Sequence, residues 1–385
     1  MSWIVNVFIF LAVGACAVEP TPGGLGVAAP TPIGSAKLSI ANGPPAVFRA
    51  ASHHDEQPYL FWSNGSGVDG AALDTRRGTV APPVRYTGDG GYGFGALLVG
   101  DALGPWILIA IYHDNAMDFH RVDLDGSSRG NALRYEAPHA WWMTSDRHGG
   151  AVIAVHRLLD DTSGELELVR LGPDAEPLSS RVIPIGRRLD IGAVAADGDR
   201  SSLVWLTSWM GDAYVLDLAL DAEETPEPLF IGSGFERVTV VATDEGPWLG
   251  AERTGPSYRH EISVAPLGRA LDTPIVAYES NQLLMWELVG AGSAPTLAVL
   301  LQTEARYDSE AHGCGPPVTV AATFELETRA VDGELIEARR FDWRQSDTEY
   351  GPPSPSAIAE TAGHVMAFFV SRDQVRWLST APASP

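Results

Sequence analysis

Asp101-Ala102-Leu103-Gly104-Pro105 runs straight into Trp106-Ile107-Leu108-Ile109, a tight turn followed by an unbroken apolar run, and this pairing decides the fold. It recurs as His54-Asp55-Glu56-Gln57-Pro58 before Tyr59-Leu60-Phe61-Trp62 and as Asp146-Arg147-His148-Gly149-Gly150 before residues 151–155. Further copies are Asp197-Gly198-Asp199-Arg200 before Leu203-Val204-Trp205-Leu206, Asp244-Glu245-Gly246-Pro247 before Trp248, and Gly292-Ser293-Ala294-Pro295 before residues 296–301. The seventh is Thr361-Ala362-Gly363-His364 before residues 365–370. Measured from Tyr59, Trp106, Ala151, Leu203, Trp248, Thr296 and Val365, the steps are 47, 45, 52, 45, 48 and 69 residues.

Each unit adds a third alternating run, at 119–124, 165–171, 213–220, 261–267, 323–329 and 374–378. Most add a fourth, at 132–135, 181–185, 228–231, 274–278 and 336–341. Alternation at period two, β-branched and aromatic residues, and Gly, Pro and Asp punctuation predict strands, and no stretch sustains a capped 3.6-residue apolar period. The chain is therefore expected to be all-β. A four-stranded sheet buries both faces only when neighbours stack on it, so about fifty residues per unit, seven times over, predicts a β-propeller of seven four-stranded blades. Parallel β-helices and tandem sandwiches compete with this reading, and six or eight blades compete with seven. The last unit has only three strands after Pro355, while residues 36–41 stand before the first unit without a sheet of their own. That run is expected to close the ring by pairing with the last blade, making 36–385 one domain.

The composition suits such a fold, with 40 Gly and 28 Pro for turns. A net charge of -23, with 49 acidic against 26 basic residues and Lys37 as the single lysine, repels phosphate backbones and anionic lipid headgroups. Nucleic acid is excluded as an expected partner. Arg in place of Lys, with abundant Ala, Gly and Pro, reads as GC-rich coding rather than function.

Residues 3–13 are apolar except for Asn6, too short to cross a bilayer of about 30 Å yet of signal-peptide length. They end in Val13-Gly14-Ala15-Cys16, which resembles the lipobox of bacterial lipoproteins, although no Lys or Arg precedes the apolar core. The resemblance implies a signal peptide over 1–15, acylation of Cys16, and, because Ala17 is not Asp, retention in the outer membrane. Residues 16–35, rich in Pro and Gly with Glu19 the one charge, are expected to form a tether. The expected membrane contact is the lipid anchor alone. With Cys16 acylated, Cys314 has no intrachain partner.

The 69-residue step comes from an expected insertion over 303–317 between the second and third strands of the sixth unit, containing Tyr307, His312 and Cys314. His312 and Cys314 fall short of a zinc site, and no metal or cofactor is expected. The pair His53-His54 with Asp55-Glu56 occupies a turn position, where Asp is explained by bonds to its own backbone. Asp boxes, Gly-His and Trp-Asp pairs, Gly-Gly pairs and a Gly-x-Ser-x-Gly elbow do not recur or do not occur, so no catalytic residue is assigned.

Links between second and third strands, together with links between units, are read as long and rich in recognition side chains, and the remaining links as short turns of Asp, Gly and Pro. Aromatic and Arg residues on loops of a rigid scaffold carry most recognition energy. The expected ligand-binding residues are Tyr92, His113, Asp114, His139, Trp142, Trp209, Tyr258, Arg259 and Tyr307. Trp141, beside them, is weighed as a first-strand residue instead. The favoured reading is an envelope-facing binding or scaffolding protein for a protein, peptide or glycan. The alternative is an exported hydrolase or lyase acting on an extracellular polymer.

Overall fold

The computed structural model describes residues 34–37, 47–51, 57–63, 67–87, 93–100, 104–160, 163–186, 189–207, 211–222, 224–255, 259–268, 276–280, 282–306, 318–330, 332, 334–344, 357–361, 364–371 and 374–380. Cys16, the signal segment, residues 16–33 of the expected tether and the His53-His54 turn lie outside the described residues, whereas Gly34 and Ser35, expected to end the tether, begin a strand. Tyr92, Trp209, Tyr258, Tyr307, His312 and Cys314 also lie outside the described residues.

All regular structure among the described residues is β, and no helix there is long and apolar enough to cross a membrane. Five sheets are four-stranded antiparallel units in sequence order. The second sheet comprises Gly93–Val99, Trp106–His113, Ala116–Asp123 and Leu133–Glu136; the third, Ala140–Ser145, Ala151–Leu158, Ser163–Leu171 and Pro177–Gly186. The fourth comprises Leu189–Asp197, Arg200–Thr207, Asp212–Ala219 and Leu229–Gly232; the fifth, Arg237–Thr243, Gly246–Gly255, Arg259–Pro266 and Val276–Ser280. The sixth comprises Leu283–Ala291, Ala294–Arg306, Val318–Arg329 and Leu335–Arg344.

The first and last units are joined through the amino-terminal strand. Gly34–Lys37 pairs antiparallel with Gln374–Ser379, beside His364–Ser371 and Ala357–Thr361, with Ala36 opposite Val375. Lys37 also bridges to Thr79, in the two-residue strand Thr79–Val80 that pairs with Val68–Asp74 of the first sheet. The first sheet's other strands are Val47–Ala51, Tyr59–Ser63 and Val84–Thr87. The predicted partner of the last sheet is thus present, but as 34–37 rather than 36–41, and residues 38–41 are not among those described.

Why the strands read as continuous apolar runs follows from how the sheets stack. Seven apolar clusters each draw on two successive sheets, and one of them draws on the last and the first. In the second sheet Ile107, Ile109 and Ile111 pack toward the first sheet, whereas Trp106, Leu108 and Ala110 pack toward the third. A strand covered on both faces has no polar side to alternate with. Leu60 and Trp62 meet Phe368, Val375 and Trp377 of the last sheet, while Phe61 faces the second sheet. Burying a side chain such as Phe368 completely contributes about 3 kcal/mol.

First strands also lie against first strands, from Val47–Ala51 on Gly93–Val99 through to Leu283–Ala291 on Ala357–Thr361, and Ala357–Thr361 lies on Val47–Ala51. Their close approach dictates glycine at two places. A Cβ on Gly192 would sit 2.0 Å from the Val238 carbonyl oxygen, and one on Gly290 would sit 1.9 Å from that of Ala242.

Two expectations about loops need correction. The stretch 303–317 is not wholly an insertion, because its flanking strands run on to Arg306 and from Val318, which pair with each other. Links from second to third strands are not uniformly long: Asp114 and Asn115 alone join two strands of the second sheet, whereas the third-to-fourth links 124–132 and 220–228 are longer, and of the second-to-third links only 307–317 of the sixth sheet exceeds these. Asp114 and Asn115 have φ of 47° and 61°, the left-handed pair that a two-residue hairpin turn requires and that Asp and Asn tolerate. A segment that reads as a polar loop is thereby a tight turn.

Candidate functional site

Antiparallel connection puts the second-to-third turns and the starts of first strands at one end of the sheets, and the first-to-second and third-to-fourth links at the other. His113, Asp114, His139 and Arg259 all belong to the former end. His113 closes the second strand of the second sheet; its Nε2 lies 2.6 Å from Asp118 Oδ2 and its Nδ1 lies 3.5 Å from Asp114 Oδ2. The Asp118 hydrogen bond raises the His113 pKa against the opposing pull of desolvation. Buried Asp118 also accepts from Arg134 Nη1 at 3.2 Å, and Arg134 Nε donates to Glu136 at 2.7 Å. The four side chains form a chain of mutual bonds across three strands.

His139 is exposed at the entry to the third sheet, where its backbone N–H donates to the His156 carbonyl at 2.8 Å. Its ring stands edge-on to the His156 ring, 5.0 Å between centroids. His156 is fully buried with neither ring nitrogen hydrogen-bonded, and burial pushes its pKa down to about 4. Trp142 packs, half-buried, against the apolar cluster between the third and fourth sheets. Its neighbour Trp141, also in the first strand of the third sheet, meets Phe119 edge-on at 5.9 Å. Arg259, exposed, begins the third strand of the fifth sheet opposite Gly255.

These residues divide into two groups. The Ala137 N–H donates to the Asn115 carbonyl at 2.7 Å, tying the His113–Asp114 turn to the segment that leads to His139. Arg259 stands on the fifth sheet, two sheets beyond His139.

Beside Arg259 is a group that sequence reasoning passed over. Ligand atoms of Glu236, Glu252 and His260 lie within 4.8 Å of one another. Glu236 precedes the first strand of the fifth sheet, Glu252 is on the second and His260 on the third. His260 Nδ1 is 2.7 Å from Glu252 Oε1, and the indole N–H of buried Trp286 donates to Glu252 Oε2 at 2.6 Å. The signal was available in register: His260 pairs with Thr254, two residues beyond Glu252, so Glu252 and His260 are diagonal neighbours on one face.

At the opposite end, a cleft of about 560 Å³ opens between the fourth and fifth sheets. Ala195, Val215, Leu229 and Leu267 supply its apolar surface; Asp197, Asp217, Glu227 and Arg200 supply its charge. Arg200 Nη2 donates to Asp217 Oδ2 at 2.6 Å, Ser202 Oγ donates to Asp217 Oδ1 at 3.1 Å, and Asp197 Oδ1 meets His148 Nε2 at 2.9 Å. Leu229 and its neighbour Phe230 are more than half exposed. The volume is within the usual range of small-ligand sites, and an apolar floor with a few convergent polar groups is their usual lining. Glu325 and Glu327, whose pKa values burial raises, stand on the sixth sheet away from this cleft.

No family model matches the chain, and no curated protein does. Among solved structures, hydrazine synthase of Kuenenia stuttgartiensis is similar at 12% identity over 86% of this chain and 94% of that chain, with a TM-score of 0.44. A lectin of Aleuria aurantia in complex with Fucα1-6GlcNAc is similar at 8% identity over 83% of this chain and 99% of that chain, with a TM-score of 0.43. Hsv2 of Kluyveromyces lactis is similar at 10% identity over 79% of this chain and 98% of that chain, with a TM-score of 0.44. Likenesses this distant carry no functional weight.

Proposed function

We propose that the chain is a seven-bladed β-propeller, lipid-anchored through Cys16 in the outer membrane, that works by binding a protein, peptide or glycan of the cell envelope. The ring reading is supported by the unbroken circuit of first-strand contacts and by the apolar cluster shared between the last and first sheets. The anchor reading is supported by Val13-Gly14-Ala15-Cys16 and the Pro- and Gly-rich segment after it.

One observation carries binding over catalysis. Of the four ionisable side chains that line the cleft, Asp197, Arg200 and Asp217 are held in ion pairs, Asp217 to Arg200 and Asp197 to His148 outside it. A cleft of paired charges over an apolar floor suits recognition of hydroxyls or amides, whereas hydrolysis needs an acid and a base with separated acidities. His113, Asp114 and His139 offer a second recognition surface at the opposite end, with Arg259 two sheets away at that end and Tyr92, Trp209, Tyr258 and Tyr307 assigned to it from sequence, while Trp142 packs between sheets.

The test is an array of envelope glycans and peptides probed with the full chain, with an Asp217→Ala, Leu229→Arg double variant, and with a His113→Ala, Arg259→Ala double variant. A discrete set of ligands lost only with the first variant assigns recognition to the cleft, and loss only with the second assigns it to the opposite end. Chemical conversion of a bound ligand would overturn the binding reading in favour of the exported hydrolase or lyase.

A further inference from the structure

We propose that Glu236, Glu252 and His260 form a binding site for a divalent first-row transition metal, with Zn²⁺ as the probe ion. The three donors come from the start of one strand, the body of the next and the beginning of a third in the same sheet, so backbone pairing holds them. The Glu236 N–H donates to the Glu252 carbonyl at 2.8 Å, which fixes the two carboxylate-bearing residues relative to one another. One imidazole and two carboxylates form an open three-donor set of the kind that zinc, manganese and iron accept, leaving positions for water or ligand.

The electrostatics call for a cation. Among the described residues the Glu236 carboxylate has no ion-pair or hydrogen-bond partner, yet it lies within 4.8 Å of a second carboxylate and a histidine. Even with His260 protonated the trio carries a net charge of -1. The guanidinium next in sequence, Arg237, is held elsewhere: it donates to the Trp286 carbonyl at 2.6 Å and lies 4.7 Å from the Trp286 ring centroid. Arg253, on the next position of the strand, lies over the Phe235 ring at 4.1 Å.

The Glu252 and His260 pair stands near metal-bound spacing, and Glu236 closes on it from within 4.8 Å. Donors on a metal at bond lengths of about 2.1 Å stand about 3.0–3.4 Å apart. Glu252 Oε1 and His260 Nδ1, at 2.7 Å, need open by only a few tenths of an ångström as the metal replaces the shared proton. Glu252 Oε2 keeps its bond from the Trp286 indole, which orients the carboxylate as outer-shell donors orient metal ligands.

The full chain, purified in mild detergent and stripped with chelator, is titrated with zinc chloride by calorimetry beside three variants, with a melt recorded for each. Wild type is expected to take up one zinc equivalent that Glu236→Gln weakens and Glu236→Gln with His260→Gln abolishes. Trp286→Phe, which keeps the ligands and removes the orienting N–H, is expected to weaken zinc about tenfold. Zinc should raise the melting temperature of wild type and leave that of the double variant unchanged. Glu236 is exposed, so its variant folds whatever the outcome at Trp286. Equal zinc uptake by wild type and the double variant would overturn the proposal, and saturable magnesium binding at the same residues would overturn the metal class. Array binding in the cleft is measured separately, so either idea can fail alone.

Discussion

Arg147 on the third sheet reaches past the fourth to the fifth, where its Nη1 donates to the Ala242 carbonyl at 3.0 Å and its Nη2 pairs with Asp244. It stands in the first-to-second turn, and neighbouring turns are stitched likewise: His148 Nε2 meets Asp197, and the Asp244 N–H donates to the Gly292 carbonyl at 2.7 Å. Arg147→Ala is expected to cost about 1 kcal/mol, the usual magnitude for one bond to a carbonyl plus a partly exposed ion pair. Urea denaturation checks it, and salt should shrink the difference.

Gly290 backs onto the same carbonyl. Gly290→Ala places a methyl 1.9 Å from the Ala242 oxygen in the starting geometry, so one first strand must shift. A loss of about 3 kcal/mol is expected from overpacking against backbone. Because that shift also moves Arg147's acceptor, the two substitutions should be non-additive in a double-mutant cycle. Additive losses would mean that the two sheets yield independently.

Ala36 is buried in the cluster that joins the last and first sheets and lies opposite Val375. Ala36→Asp puts a carboxylate with no cation among Trp62, Phe368 and Trp377, at an expected cost of about 3 kcal/mol. Hydrogen exchange should show the first and last sheets losing protection together while the fourth keeps its own. Unchanged protection in the first sheet would argue against its mechanical union with the last.

His156 sets a pH limit. Its pKa in the fold, about 4, is below the ordinary 6.5, so protonation favours the unfolded chain. Its contribution is fully present above about pH 6.5 and declines as pH falls toward 4, by about 3 kcal/mol over that range. His156→Leu should flatten the acid limb of a stability-versus-pH curve measured by urea denaturation. It should not weaken the fold at neutral pH, since both ring nitrogens are already unbonded.

The repeat was legible because both faces of each second strand are buried, which turns 106–111 and 203–206 into apolar runs visible without any periodicity analysis. Third and fourth strands are legible to within a few residues from alternation instead, because they keep a partly solvated face, as in Leu133–Glu136 and Ser163–Leu171. Loop character was less legible. The residues His113-Asp114-Asn115 have the polar composition of a recognition loop, but the left-handed φ of Asp114 and Asn115 makes them a hairpin turn. Trp142 reads as a surface anchor until its neighbours across the sheet interface are known. The Glu236, Glu252 and His260 group depends on strand register, which a single sequence leaves open by a residue or two. The cleft depends on how far two sheets splay, which no local pattern encodes.

The strand Gly34–Lys37 is the mechanical entry to the molecule. Any tension on the amino end is delivered to a ladder of four residue pairs, Gly34 against Trp377 through Lys37 against Gln374. Under load this short seam is expected to part before the longer hairpins behind it, and its parting would uncover the edge of the last sheet at Gln374–Ser379. A tug that leaves the other sheets intact would thus turn a paired strand into an edge open for pairing.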